Sequence, residues 1–184
     1  MVILIGLTGE NCAGKGTVAD YLVKNKGFQY TSLSDAIRFE LRKEGREITR
    51  NNLIDKGNEL REAFGPGALG RKIVETLKKG ENYAIDSIRN PREVEELKKQ
   101  ANFFLVNVVA PVELRFKRSL SRNRDGDPKT FEEFVEVDKR ESAGSANKQN
   151  LVATGEMADE AIVNDGELQE LHKKVDVLIS KRVK

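Results

Sequence analysis

Residues 9–17 read Gly-Glu-Asn-Cys-Ala-Gly-Lys-Gly-Thr, and their types suit one chemistry, the holding of phosphate. Gly9, four residues, Gly14 and Lys15 have the spacing of a Walker A loop. Glycines let the backbone curl until successive N–H groups point inward as an anion nest. A helix starting near Lys15 adds its free N–H groups and the positive end of its dipole. Lys15 supplies a mobile charge for the β and γ phosphates. Gly9, Asn11, Cys12, Ala13, Gly14, Lys15, Gly16 and Thr17 are therefore the expected ATP-binding residues. One position departs from the strict motif: Gly16 stands where a Mg²⁺-binding hydroxyl usually follows the lysine. Thr17 comes one residue later, about 100° further round a helix. There it can touch the α phosphate, with the metal held mainly through water.

Such a loop needs a strand before it and a helix behind it, and the chain supplies both. Val2–Leu7 is a continuous apolar run with the composition of a strand buried on both faces. Helical character follows from Lys15 to Lys24. Further strands are expected at Phe28–Leu33, Tyr83–Asp86, Phe103–Ala110 and Ala161–Asn164. Between them lie helical segments: one capped by Ser34 or Asp35 and running through Ile37 and Leu41, one from Glu47 to Phe64 closed by Gly65-Pro66-Gly67, and one over Leu69–Leu77. Others start at Asn90-Pro91 and Pro111, cover Phe131–Arg140, and end the chain at Leu168–Ile179. Strands alternating with helices predict an α/β fold, three layers around a parallel sheet of about five strands. The core is expected at residues 1–33, 80–118 and 158–184. Two helical insertions, 34–79 and 119–157, would then stand at the carboxyl edge of the sheet, where ligands bind.

The composition narrows the chemistry further. The 184 residues carry 32 Lys+Arg and 30 Asp+Glu, a net charge of +2, which disfavours nucleic acid as a partner. One Cys and one His exclude a disulfide framework and a Cys/His zinc site. No apolar run approaches the roughly 20 residues that span a bilayer, so no membrane role is expected. Nor does a secretory leader open the chain, and a cytoplasmic protein is the expectation. His172 lies outside every motif and reads as a surface or packing residue. An AAA-type motor is disfavoured by length. A GTPase switch is disfavoured because Asn147-Lys148-Gln149-Asn150 lacks the Asp that reads guanine.

Lys15-Gly16-Thr17 after the loop glycine resembles the adenylate-kinase branch of the P-loop kinases. On the acceptor side, Ser32-Leu33-Ser34-Asp35-Ala36-Ile37-Arg38 is similar to the segment of that family carrying an Asp and then an Arg. The resemblance implies substrate-binding roles for Asp35 and Arg38; a helix cap and a solvated Arg are the plainer alternative. Asp86-Ser87-Ile88-Arg89-Asn90-Pro91 resembles the family's Asp-Gly-Phe-Pro-Arg stretch, with Ser87 in place of Gly and the Pro moved. A carboxylate ending a strand opposite a phosphate loop can hold the waters of Mg²⁺, which suits Asp86 to a catalytic and metal role with Thr17. Arg89 can grip the acceptor phosphate in a bidentate way.

On the lid side Arg118 and Arg122 are four apart and share a helix face. They resemble the family's Arg pair over the donor nucleotide, and Arg140 is a candidate third lid arginine. Asp125-Gly126-Asp127-Pro128 breaks the helix between them. Backbone around Asn164–Gly166 resembles the adenine-side loop of dephospho-coenzyme A kinases. The chain also resembles archaeal adenylate-kinase-related proteins and the P-loop domain attached to some deoxycytidylate deaminases.

The expectation is an ATP- and Mg²⁺-dependent kinase of a nucleotide-like small molecule, most simply a nucleoside or deoxynucleoside monophosphate. Lys15, Asp86, Arg118, Arg122 and Arg140 are its expected catalytic set. A kinase acting on a hydroxyl, like dephospho-coenzyme A kinase, would need a general base, for which Asp35 is the candidate. A nucleotide-sensing module without turnover is the third reading.

Overall fold

The computed structural model describes residues 2–124, 126–142 and 148–182. Asp125 and Asn147, singled out above, lie outside the described residues. In chain order the elements are β1 (Leu4–Thr8), α1 (Lys15–Lys26), β2 (Gln29–Ser32), α2 (Leu33–Lys43), α3 (Arg50–Phe64), α4 (Ala68–Thr76), β3 (Tyr83–Asp86), α5 (Pro91–Lys98), β4 (Phe103–Val109), α6 (Val112–Arg122), α7 (Phe131–Ser142), α8 (Leu151–Glu156), β5 (Glu160–Val163) and α9 (Leu168–Ser180).

All five strands pair in parallel, in the order β2-β3-β1-β4-β5. The central strand is β1, and each of its five residues is buried, as its unbroken apolar composition demands. Its side chains alternate between two cores. Ile3, Ile5 and Leu7 pack with Val18 and Leu22 of α1 and with Leu171, Val175 and Leu178 of α9. Leu4 faces Leu33, Ile37 and Leu41 of α2, Ile73 of α4 and Val94 and Leu97 of α5. Helices on both faces of a parallel sheet make the three layers that the strand–helix alternation predicted. Each large side chain so buried contributes about 1.5–3 kcal/mol of transfer free energy.

Local chemistry sets the helix starts. The Ser32 hydroxyl accepts from the Ser34 N–H at 3.2 Å, so Ser32, and neither Ser34 nor Asp35, caps α2. The Thr49 hydroxyl accepts from the Asn52 N–H at 3.2 Å and starts α3 three residues later than the apolar pattern suggested. Asn90 and Glu93 form a reciprocal capping box on α5, with Pro91 in its first turn. The short helix α8 had no expectation, because its six residues are too few for a periodic signal; the Asn150 side chain caps it by accepting from the Ala153 N–H at 3.0 Å. His172 does pack at the surface, its ring stacked on Tyr21 with centroids 4.0 Å apart.

Parallel pairing points every carboxyl end the same way. Thr8, Ser32, Asp86 and Val163 therefore end at one rim of the sheet, and the loops after them meet there. No helix among the described residues is long and apolar enough to cross a membrane.

Candidate active site

One cavity of about 940 Å³ opens at that rim. The 9–17 loop forms one wall, and its backbone explains its glycines. Gly9 has φ +128°, and a Cβ there would lie 2.1 Å from the Val108 carbonyl oxygen. Gly14 caps α1 at φ +109°, where a Cβ would lie 2.1 Å from Asn164 Nδ2. Cys12 also takes a left-handed conformation, at φ +61°. Asn11, Cys12, Gly14, Lys15, Gly16 and Thr17 line the cavity, while Gly9 and the buried Ala13 shape the loop from behind. Asn164, at the end of β5, braces it by donating Nδ2 to the Ala13 carbonyl at 2.8 Å.

Lys15 Nζ donates to the carbonyls of Gly9 and Glu10, both at 2.8 Å. Burial pushes its ammonium down from the usual 10.5 to about 8, against an opposing pull from Asp86. Asp86 lines the cavity at the end of β3, its carboxylate accepting from the Ser87 N–H at 2.6 Å and from the Tyr30 hydroxyl at 3.4 Å. Burial, then the Asp86 charge, pushes the Tyr30 phenol up to about 12. Ser87 stands at φ +65°, which accounts for the glycine at this place in the stretch it resembles.

On α6 the spacing argument holds. Arg118 and Arg122 both line the cavity. Arg118 Nη2 donates to the Asn164 carbonyl at 3.2 Å, while its buried Nη1 has no hydrogen-bond partner among the described residues. Arg122 Nη2 contacts the Asp127 carboxylate at 2.7 Å. One turn back, Arg115 shares this face at 3 % exposure. It makes two bonds to Asp138 of α7, at 2.7 and 2.8 Å, and reaches the Asn11 carbonyl at 3.4 Å. Arg115 thus ties the loop to α7; the 115–118–122 spacing was the signal that could have found it.

The residues expected to hold the acceptor are only partly brought together. Arg38 and Arg89 line the cavity, but Asp35 does not. The reason is helical geometry: Leu33, Ile37 and Leu41 face the core, and a residue two after Leu33 points about 200° away. Asp35 is exposed and pairs with Arg38 Nη1 at 2.8 Å. Arg140 also lies off the cavity, exposed, with Nη1 on Asn51 at 3.3 Å and Nη2 3.6 Å from Asp55. Arg50, at the start of α3, lines the cavity instead. It pairs with Glu141 of α7, which also accepts from Arg89 Nη1 at 2.7 Å. Burial opposes ionisation of Glu141, but the Arg89 and Arg50 charges outweigh it and hold its carboxyl below the usual range. Arg50 and Glu141 carry no local motif, since their partners come from distant parts of the chain.

Beneath this side runs a buried ion pair. Arg61 of α3 donates Nε to Glu93 at 2.9 Å, and both residues are essentially unexposed. The other Glu93 oxygen accepts the backbone N–H groups of Arg89 and Asn90, at 2.9 and 3.0 Å, so the pair fixes the loop that carries Arg89.

Among the described residues no cluster of three or more His, Cys, Asp and Glu gathers as an all-protein metal cage. Asp86 and Thr17, both on the cavity wall, fit a Mg²⁺ held chiefly by phosphate oxygens and water.

Residues 5–144 match the AAA domain family model. Over 98% of its length the chain is 33% identical to a UPF0200 protein of Sulfurisphaera tokodaii, 98% of which is covered. It is 36% identical to a UPF0200 protein of Pyrococcus abyssi, over 98% of this chain and 96% of that one. The chain belongs to the UPF0200 family. Its fold is that of the P-loop kinases. A shikimate kinase from Acinetobacter baumannii in complex with shikimate superposes with TM-score 0.61 at 20% identity, over 100% of this chain and 97% of that one. A gluconokinase from Sinorhizobium meliloti superposes with TM-score 0.60 at 14% identity, over 97% of this UPF0200 chain and 92% of that one.

Proposed function

We propose that the protein transfers the γ-phosphoryl group of ATP to a nucleotide-like small molecule, most directly a nucleoside or deoxynucleoside monophosphate. The observation that carries this reading is that a single cavity joins the Lys15 loop to three guanidiniums, Arg38, Arg50 and Arg89, brought from α2, α3 and the loop after β3. Phosphoryl transfer asks for positioning and for neutralisation of charge on the transferring oxygens more than for covalent help. An acceptor phosphate is largely ionised at neutral pH, so it needs no general base.

In this reading the loop N–H groups and Lys15 hold the donor phosphates, and Arg118 and Arg122 approach them from α6. Asp86 and Thr17 would hold Mg²⁺ through water, the metal supplying charge neutralisation when bound. Arg38, Arg50 and Arg89 orient the acceptor. Residues 34–79 act as the acceptor-binding insertion and 119–157 as a lid on the core, whose closure keeps water from the reaction. The partner is a small molecule, with neither nucleic acid nor membrane required, and a cytoplasmic setting suits the free thiol of Cys12.

A hydroxyl acceptor is the second reading, favoured by the fold neighbours named for shikimate and gluconate. Asp86 is then the better-placed base, since it lines the cavity and Asp35 does not. The test is a coupled assay of ADP release with ATP, Mg²⁺ and a panel of nucleoside monophosphates, dephospho-coenzyme A, shikimate and gluconate. Turnover with a monophosphate supports the first reading, and turnover confined to hydroxyl acceptors replaces it with the second. Tight ATP binding with no turnover on any acceptor points to a nucleotide sensor.

A further inference from the structure

Glu141 is an unusual resident of a wall built for anions. Its side chain is fully buried, yet it stands at the cavity between Arg50 and Arg89, whose side chains are only 16% and 13% exposed. It reaches them from α7, which belongs to neither of their elements. Three residues earlier, Asp138 of the same helix takes Arg115 with two bonds, away from the cavity. The two inward carboxylates of α7 therefore differ in kind: Asp138 clamps the helix to the phosphate loop, whereas Glu141 occupies guanidiniums that face the cavity.

A carboxylate carries one negative charge and a phosphate monoester close to two. Arg38, with one nitrogen on Asp35, brings a third guanidinium to the same cavity. A phosphate monoester can therefore outcompete a single carboxylate for the pair, whereas a group of one charge or none meets Glu141 as an equal or stronger rival.

We infer that the Glu141 carboxylate is an internal anion seated on the Arg50–Arg89 pair, and that an acceptor's phosphate monoester binds by displacing it, which makes Glu141 a specificity-determining residue. Without such a device the wall would take any small oxyanion. The inference deepens the proposed function and rests on its assignment of this wall to the acceptor.

The experiment measures dissociation constants of inorganic phosphate and of acetate by calorimetry, with saturating ADP occupying the phosphate loop, for the wild type, Glu141→Gln and Glu141→Asp, and measures ATP affinity separately as the control for the donor wall. Glu141→Gln removes the competing charge at nearly constant shape, and phosphate is expected to bind about tenfold tighter. Glu141→Asp, a methylene shorter, should give a smaller gain, and ATP affinity should change far less than phosphate affinity. Unchanged or weaker phosphate binding in a folded Glu141→Gln protein overturns the inference and makes Glu141 a structural strut. Failure of both variants to fold overturns it too, because a displaceable anion cannot be indispensable to the fold. Acetate gaining as much as phosphate overturns the phosphate assignment. Since no turnover is read, a tenfold gain in a protein that phosphorylates nothing on the panel would sink the kinase reading alone. Turnover on a monophosphate with no gain would sink only this inference.

Discussion

The two walls of the cavity are made in opposite ways. The wall proposed for the donor is a contiguous run of chain made largely of backbone: loop N–H groups, glycines at φ +128° and +109°, and one lysine held over two carbonyls. The wall proposed for the acceptor is a convergence of side chains, Arg38 from α2, Arg50 from α3, Arg89 after β3 and Glu141 from α7. Backbone donors are fixed by covalent geometry and by the strand and helix on either side. Side-chain donors are fixed only by their partners. The donor wall should therefore lose function without losing stability when its side chain is cut. The acceptor wall should lose both when its supports are cut.

The largest effect is expected at Lys15. Lys15→Ala should lower kcat/KM by at least about 10³-fold, as removal of a charge aimed at a developing anion does. The melting temperature should stay close to wild type, because the amine bonds only two loop carbonyls among the described residues. A large fall in Tm would break the claim that the donor wall stands on backbone.

Arg61→Ala tests the other wall. It leaves Glu93 charged and buried and should cost about 3–5 kcal/mol in urea unfolding. By loosening the backbone bonds at Arg89 and Asn90 it should also raise the acceptor KM while leaving the ATP KM nearly unchanged. A rise in both KM values together would mean that the walls are coupled and the contrast too sharp.

A pH effect of intermediate size belongs to the donor wall. Burial lowers Lys15 from the usual 10.5 to about 8, so the folded state binds fewer protons than the unfolded chain between those values. The burial penalty is full below about pH 8 and is relieved as pH rises toward about 10.5, so this group's contribution to stability rises across that window. Bound phosphate restores the charge. ATP binding at about pH 9 should therefore take up protons, read as a dependence of calorimetric enthalpy on buffer ionisation. Lys15→Met should abolish the uptake.

The smallest effects are expected at Asp35 and Arg140, which lie off the cavity. Asp35→Asn and Arg140→Ala should each change kcat by less than about threefold, against the 10²–10⁴-fold typical of a lost general base. A large loss at Asp35 would mean that α2 turns on binding and would favour the hydroxyl acceptor.

The same contrast explains what could be read ahead of the structure. Gly9, Gly14 and Lys15 were legible because their geometry is local: spacing alone dictates the turn and the helix start. The buried strand Leu4–Thr8 and the parallel sheet were legible because apolar runs alternating with amphipathic segments have few other ways to hide. Arg118 and Arg122 were legible as one helix face because four residues make just over one helical turn. Asp35 shows the limit: its motif placed it well, but the apolar face of Leu33, Ile37 and Leu41 decided which way α2 rolled, and that turned the carboxylate outward. Arg50 and Glu141 were invisible because they are separated by 91 residues and meet only when α3 and α7 converge at the sheet rim. The sequence by itself determined the strand–loop–helix conformation of residues 9–17 and the layered α/β architecture. Only the tertiary structure decided which arginines line the cavity and which carboxylate pairs with them, because burial and helix rotation, which no local spacing encodes, choose the partners of a charged side chain.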